Sequence, residues 1–209
     1  MSAEARRSVA VGVTGASGAI YAVRTLAALL ADGLHVELVV SEYGRRLLHD
    51  ELGEQANVDR LLPFLTRKYG AAVDNGRLTI HGPRDLGATI ASGSHGALGM
   101  VIVPCSMKTL AGVAHGLSRN LVERAADVML KERRRLVIVP RETPMSLPQL
   151  KNMVLCAEAG ATVLPAMPAF YQLPKTLDDL ADFMAGKILS ALGLEHQLYP
   201  EWTGRPIAK

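Results

Sequence analysis

Short apolar runs alternate with longer segments of helical periodicity along almost the whole chain. The apolar runs lie at 9–14, 35–41, 100–104, 136–140 and 161–164, with a weaker one at 78–81. Segments with helical spacing lie at 18–33, 42–52, 107–116, 119–133, 147–159 and 176–192. This alternation is typical of a parallel sheet covered by helices on both faces. The sequence therefore predicts an α/β fold with a doubly wound, Rossmann/flavodoxin-like parallel sheet.

The region between the second and fourth of these runs is harder to assign. Residues 58–69 have helical spacing, but Pro63 is expected to interrupt the helix. Residues 82–96 have no period and are predicted to form a long loop, which in a compact domain is more often functional than idle. The sequence leaves the role of residues 54–84 open. Because no repeat or linker divides the chain, we predict one domain over 1–209.

Charge and composition limit the partners. The formal net charge is +3 and only 4% of the residues are aromatic. Nucleic-acid-binding proteins usually combine denser basic stripes with stacking aromatics, so we predict a small anionic ligand and no nucleic acid. Basic residues precede the first apolar run, but glycines interrupt that run, and no apolar span of about 18 residues exists. We therefore predict no membrane span and a cytoplasmic protein.

The cysteines and histidines do not suggest a metal site. Cys105 and Cys156 form no CxxC pair, and none of the histidines has HxxxH or HExxH spacing. Two cysteines without such a pair indicate neither a disulfide framework nor a thiolate metal site, and the histidines indicate no metal, so we predict neither.

Polar or glycine-rich segments follow the predicted strands directly. Ligands of open parallel sheets bind beyond the carboxyl ends of the strands. The segments are GASG at 15–18, Ser41, PCSMKT at 104–109, PRETP at 140–144 and PAMPAFY at 165–171. We expect the binding site to be built from them.

Three segments suit an anion at a helix start or in a small loop. Ser17 lies in a turn with glycines at 12, 15 and 18, which either approaches a phosphate or is only a tight turn. Ser106 and Lys108 open another helix, where N-capping and anion binding use the same geometry. The SGS segment at 92–94 is either a further anion site or only a flexible loop.

Charged residues supply the remaining candidates. Arg124 and Lys131 are seven residues apart and lie nearly on one helical face, where they either meet one phosphate or form a solvated surface. Arg141 and Glu142 follow a buried strand directly, where they either contact a ligand or form a structural ion pair. Glu51, taken alone, is typical of a surface residue.

Four longer stretches resemble the flavin prenyltransferase (UbiX-like) family. They are TGASGAIYAVRTL at 14–26, ASGSHGALGMVIVPCSMKTLAGVAHG at 91–116, LVERAADVMLKERRRLVIVPRETPMS at 121–146 and LPAMPAFYQLPKTLDDLADFMAGKIL at 164–189. The four occur in the family's order and each falls at a predicted strand end, so the resemblance covers nearly the whole chain.

The resemblance implies an enzyme that transfers a dimethylallyl group from dimethylallyl phosphate to reduced FMN and builds a fourth ring on the flavin. It implies no metal, because side-chain cations can neutralise a monophosphate. The product, prenylated FMN, would serve a separate UbiD-type decarboxylase. Family members are homo-oligomers, typically dodecamers, with sites shared between subunits, and we expect the tail at 194–209 to pack on a neighbouring subunit.

The resemblance also assigns roles to individual residues. Those matched to FMN binding are Gly15, Ala16, Ser17, Ser41, Ser106, Met107, Lys108, Thr109 and Arg141. Those expected to hold the prenyl phosphate are Ser92, Arg124, Lys131, Tyr171 and Lys187. Ser17, Glu51 and Glu142 match the residues nearest the reacting flavin edge, where Glu142 is expected to shuttle a proton.

The chain departs from the family pattern at two positions. Leu86 stands where some relatives carry tryptophan, so the aromatic wall over the allyl cation is expected to come from elsewhere, with Trp202 as a candidate. Lys187 stands where the compared relatives have arginine, which keeps the charge but loses the bidentate fork.

Two other functions suit the same architecture. A flavin-dependent cysteine decarboxylase would need a catalytic histidine and a substrate clamp, for which the sequence offers no match. A non-catalytic FMN carrier for a decarboxylase would not need Glu51, Glu142 or the phosphate cluster.

Overall fold

Six parallel strands form one sheet in the order β3-β2-β1-β4-β5-β6 in the computed structural model, which describes residues 8–200. The strands are β1 Ser8–Val13, β2 His35–Val40, β3 Arg77–His81, β4 Gly99–Cys105, β5 Arg135–Pro140 and β6 Thr162–Val163. The helices are α1 Ala19–Ala31, α2 Glu42–Leu52, α3 Leu61–Tyr69, α4 Met107–Ala114, α5 Leu121–Lys131, α6 Leu147–Glu158 and α7 Leu177–Ala191. This order of strands is that of a doubly wound sheet, so the predicted fold class is confirmed.

The central strands are buried on both faces because helices cover both sides of the sheet. Every residue of β1 and β4 is buried, and both strands are rich in valine, as expected for a parallel sheet. One core, around Leu26 and Leu38, joins the sheet to α1, α2, α3 and α7. The other core, around Leu110 and Met129, joins it to α4, α5 and α6. The sheet therefore separates α5 from α7, which determines where the charged candidates can meet.

The predicted interruption at Pro63 is wrong. Pro63 is the third residue of α3, within the first turn, where backbone N–H groups have no partner inside the helix. Proline therefore breaks no hydrogen bond of α3. The predicted loop at 82–96 is confirmed, since its only regular element is the short 3-10 turn Thr89–Ala91.

The two ends of the chain bear on two further predictions. Trp202 and the last part of the 194–209 tail lie outside the described residues. The single domain over 1–209 and the packing of that tail on another subunit therefore stay predictions. Among residues 8–200, no helix combines the length and the apolar character needed to cross a bilayer.

Candidate active site at the carboxyl edge of the sheet

Hydrogen bonds join the ends of β1, β4 and β5 into one rim. The Thr14 hydroxyl donates to the carbonyl of Pro104 at 3.0 Å and accepts from the backbone N–H of Ser106 at 2.7 Å. From the end of β5, Arg141 Nε donates to the carbonyl of Ser17 at 3.0 Å. Three of the predicted segments, which are far apart in the sequence, are thus neighbours at one edge of the sheet.

The start of α4 leaves backbone N–H groups open toward the rim. The Ser106 hydroxyl caps the helix by accepting from the backbone N–H of Thr109 at 3.3 Å. The N–H groups of Met107 and Lys108 lie in the first turn, where a helix provides no acceptor, and the Lys108 side chain is exposed. The cap therefore leaves these N–H groups open, and the arrangement suits a phosphate group.

At the glycine-rich turn before α1, the N-terminus of the helix is already paired. A carboxylate oxygen of Glu51 accepts from the N–H of Gly18 at 3.0 Å and from that of Ala19 at 2.7 Å. Glu51 lies in the last turn of α2, so this carboxylate reaches the anion position at α1 from a neighbouring helix. The N–H groups that follow Ser17 are thus occupied, and a phosphate is better placed at α4.

Backbone conformation and packing explain why two positions of that turn are glycine, without reference to a ligand. Gly18 has a φ of +122°, a backbone conformation that residues other than glycine rarely adopt. A Cβ at Gly15 would lie 2.5 Å from Cβ of Tyr43 on α2, too close for any other residue without a shift. The glycines therefore shape the turn, while the exposed Ser17 presents a polar side chain that is open to a ligand.

Two further candidates lie on the same rim. The Ser41 backbone N–H donates to the carbonyl of Val13 at 2.9 Å, and its hydroxyl caps α2 by accepting from Gly44 at 3.0 Å. Glu142 follows Arg141, and its carboxylate accepts from the N–H of Thr143 at 3.0 Å. Glu142 forms no ion pair with Arg141 among the described residues, so the structural ion pair considered from the sequence is not present.

A second group of candidates lies between α5 and the 82–96 loop. Arg124 Nε donates to the carbonyl of Ala91 at 3.2 Å, directly before Ser92. The Lys131 ammonium lies beside Gly93, where it would be 2.8 Å from a Cβ on that residue. Lys131 also pairs with Glu132 at 2.8 Å and keeps about half of its side chain exposed, at 48%. We call Ser92, Arg124 and Lys131 the α5 cluster.

Tyr171 and Lys187 lie on the other face of the sheet. The Tyr171 ring meets the Phe183 ring edge to face, with centroids 6.1 Å apart, and Lys187 is exposed one turn further along α7. We call this pair the α7 pair. Because the sheet separates α5 from α7, one subunit does not bring the α7 pair to the α5 cluster. Leu86, in the loop, is 51% exposed.

The cysteines are not suited to act as nucleophiles. Burial raises the pKa of the Cys105 thiol far above its usual range, with a smaller contribution from Cys156. Burial also raises the pKa of Cys156 to about 11. Both thiols therefore remain protonated near pH 7, and reactivity requires the thiolate.

Sequence reasoning missed two residues that organise the site. Thr14 links the end of β1 to the end of β4 through its buried hydroxyl. A polar residue between an apolar strand and the glycine-rich turn is the sequence signal that could have indicated this role. Glu37 lies in the middle of β2 and anchors the loop that carries Ser92. A single carboxylate within an otherwise apolar strand is the corresponding signal for Glu37.

Comparison with known proteins extends this description. A model of the Flavoprotein family matches residues 2–188. Flavin prenyltransferase UbiX of Halalkalibacterium halodurans is 50% identical over 192 residues, which are 92% of this chain and 91% of that protein. The structure of AnUbiX (PadA1) in complex with FMN and dimethylallyl pyrophosphate is similar with a TM-score of 0.85 at 36% identity, covering 96% of this chain and 99% of that one. A dodecameric FMN-dependent UbiX-like decarboxylase from Escherichia coli O157:H7 has a TM-score of 0.79 at 39% identity, over 94% and 100% of the two chains.

Proposed function

The chain belongs to the Flavoprotein family and, within it, to the UbiX-like flavin prenyltransferases, and we propose that it transfers a dimethylallyl group from dimethylallyl phosphate to reduced FMN. The observation that carries the proposal is the rim, where Thr14, Ser106, Arg141 and Ser17 are joined by hydrogen bonds beside the open start of α4. A site of this kind suits a phosphorylated ligand that extends along the edge of the sheet.

FMN fits the residues of this rim. Its phosphate would be held at the start of α4 by Ser106, Lys108 and Thr109, with Met107 contributing a backbone N–H. Ser41, directly after β2, would contact FMN further along the rim. The flavin ring would lie along the turn of Gly15, Ala16 and Ser17, next to Arg141. Reduced FMN supplies the nucleophile when it is bound. The role of these residues is to orient it toward the allyl carbon, which raises the effective concentration of the two reactants.

The donor requires positive charge where its phosphate leaves. Breaking the allylic C–O bond leaves the electron pair on the phosphate, so cations fixed at that position lower the barrier. Arg124 and Lys131 of the α5 cluster provide such charge, and Ser92 adds a hydroxyl. The α7 pair adds a phenol and a further cation, but it lies on the opposite face of the sheet in one subunit.

We therefore propose that the site is completed between subunits of a homo-oligomer, with the α5 cluster of one subunit meeting the α7 pair of another. The dodecameric state of the similar protein from Escherichia coli O157:H7 supports this arrangement. Two exposed apolar residues near Tyr171, Met167 at 67% and Phe170 at 69%, are suited to burial between subunits.

Proton transfer falls to the carboxylates of the rim. Joining the allyl group to the flavin by two bonds releases two protons from the flavin, of which one is taken up by the former double bond and the other leaves with the phosphate. Glu142 would move a proton here, because its carboxylate lies at the end of β5 next to Arg141. Glu51 and Ser17 would hold the turn and the flavin edge in place. The product would pass to a UbiD-type decarboxylase in the cytoplasm.

Product formation tests the proposed function. Purified protein incubated with reduced FMN and dimethylallyl phosphate is expected to give a flavin heavier than reduced FMN by one C5H8 unit, detected by mass spectrometry. A parallel reaction with dimethylallyl pyrophosphate distinguishes the two donors. Unmodified FMN bound to folded protein in both reactions would favour a non-catalytic carrier. Release of carbon dioxide from a cysteine-containing substrate would favour the decarboxylase alternative.

A further inference from the structure

Glu37 is a buried carboxylate that lies outside the rim. Its side chain is 2% exposed, in the middle of β2 and on the face of the sheet that the 82–96 loop covers. Burial alone would raise its pKa, but the charge of His95 and hydrogen bonds from Thr89, His95 and His81 outweigh burial and hold the pKa below its usual range. Glu37 is therefore ionised near pH 7 and must have partners.

Both oxygens of this carboxylate hold the loop. Oε2 accepts from the Thr89 hydroxyl at 2.9 Å, and Oε1 contacts Nε2 of His95. His81 on β3 also reaches Oε2, at 3.2 Å, and so fixes the carboxylate from the neighbouring strand. Thr89 and His95 are three residues before and three residues after Ser92. The carboxylate thus binds the loop at one position before Ser92 and at one position after it.

Two arginines also hold the loop, through its backbone carbonyls. Arg124 Nε donates to the carbonyl of Ala91 at 3.2 Å, and Arg134 donates to that of Gly93 at 2.8 Å. Inside the loop, the N–H of Ser92 donates to the carbonyl of Thr89 at 3.1 Å. The loop around Ser92 is therefore held by the buried carboxylate of Glu37 and by two arginines. One of these arginines, Arg124, belongs to the α5 cluster.

We infer that Glu37 is a positioning residue for the donor phosphate: it fixes the loop so that Ser92 lies beside Arg124 and Lys131. This inference rests on the proposed function, in which the α5 cluster receives the phosphate of the allyl donor. Glu37 itself touches neither substrate. Its effect is transmitted through Thr89 and His95, so its loss should weaken donor binding and leave the FMN part of the site intact.

Three variants test the inference. Glu37→Gln keeps the shape of the side chain but removes its charge. Thr89→Val removes only the hydroxyl that links the loop to Glu37, at an exposed position where folding should tolerate it. Thr79→Val is the matched control, because its hydroxyl bonds a histidine, His35, at 2.8 Å in the same part of the sheet and, among residues 8–200, makes no hydrogen bond to the loop. Each is assayed for the KM of dimethylallyl phosphate, for kcat and for the dissociation constant of FMN.

We expect Glu37→Gln to raise the donor KM about tenfold, since a hydrogen bond to a charged group is lost, with kcat and FMN affinity changed less than about twofold. Thr89→Val should raise the donor KM about threefold and Thr79→Val should leave it unchanged. An unchanged donor KM in Thr89→Val, or an equal loss of FMN affinity in Glu37→Gln, overturns the inference. If Glu37→Gln does not fold, Thr89→Val alone decides. A wild-type protein that forms no prenylated flavin would instead overturn the proposed function and this inference with it.

Discussion

Replacing Glu142 with glutamine is expected to lower kcat by a factor of about 100 or more, because an amide cannot give or take the proton that this carboxylate would move. Glutamine retains an oxygen that can accept from the N–H of Thr143, so the backbone after β5 should keep its conformation. FMN affinity is therefore expected to change less than about threefold, since only a neutral contact is altered. Single-turnover kinetics with reduced FMN bound would measure the chemical step, and fluorescence titration would measure binding.

Glu158→Gln provides the control for this substitution. Glu158 is an exposed residue at the end of α6, away from the rim, and its change to glutamine should affect neither quantity. Equal losses of kcat and FMN affinity in Glu142→Gln would mean that Glu142 is structural. Unchanged turnover would mean that the proton moves through another group.

Replacing Lys131 with methionine is expected to lower kcat/KM for dimethylallyl phosphate about 100-fold, because one cation facing the departing phosphate is lost. Methionine keeps most of the length of the side chain, so the stem on α5 should keep its place while the ammonium beside Gly93 is lost. The ion pair of Lys131 with Glu132 is partly exposed, and its loss should cost little stability. FMN binding at the start of α4 should not change.

Lys151→Met is the matched control, because Lys151 is also an exposed lysine on a helix, in this case α6. It should retain full activity in steady-state assays over a range of donor concentrations. A Lys131→Met variant with wild-type kcat/KM would remove the α5 cluster from the donor site. It would support the alternative that these charges are only a solvated helix face.

The strands, the helices and the rim were predictable because they depend on local patterns. Buried strands rich in valine and helices with apolar spacing carry their signal within a few residues, and ligand segments follow strand ends in any open parallel sheet. Pro63 was misjudged because proline interrupts a helix interior but not its first turn, and the start of α3 has no side-chain cap to mark it.

The pairing of distant residues was not predictable in the same way. The sequence around Glu51 does not indicate that it caps another helix, because the N–H groups that it binds belong to Gly18 and Ala19 at the start of α1. Spacing along the sequence also does not say which face of the sheet a helix covers, so the separation of the α5 cluster from the α7 pair appears only in three dimensions. Glu37 was overlooked because its importance depends on a loop that lies beyond α2, α3 and β3 in the sequence.

The position of the FMN phosphate tests the central claim most directly. A crystal structure of the protein with FMN is expected to show that phosphate at the start of α4, in contact with Ser106 and Thr109, with Ser17 and Arg141 beside the flavin and Glu51 still bonded to Gly18. Phosphate bound instead at the start of α1, with Glu51 displaced, or FMN bound away from Ser17, Ser106 and Arg141, would contradict the account.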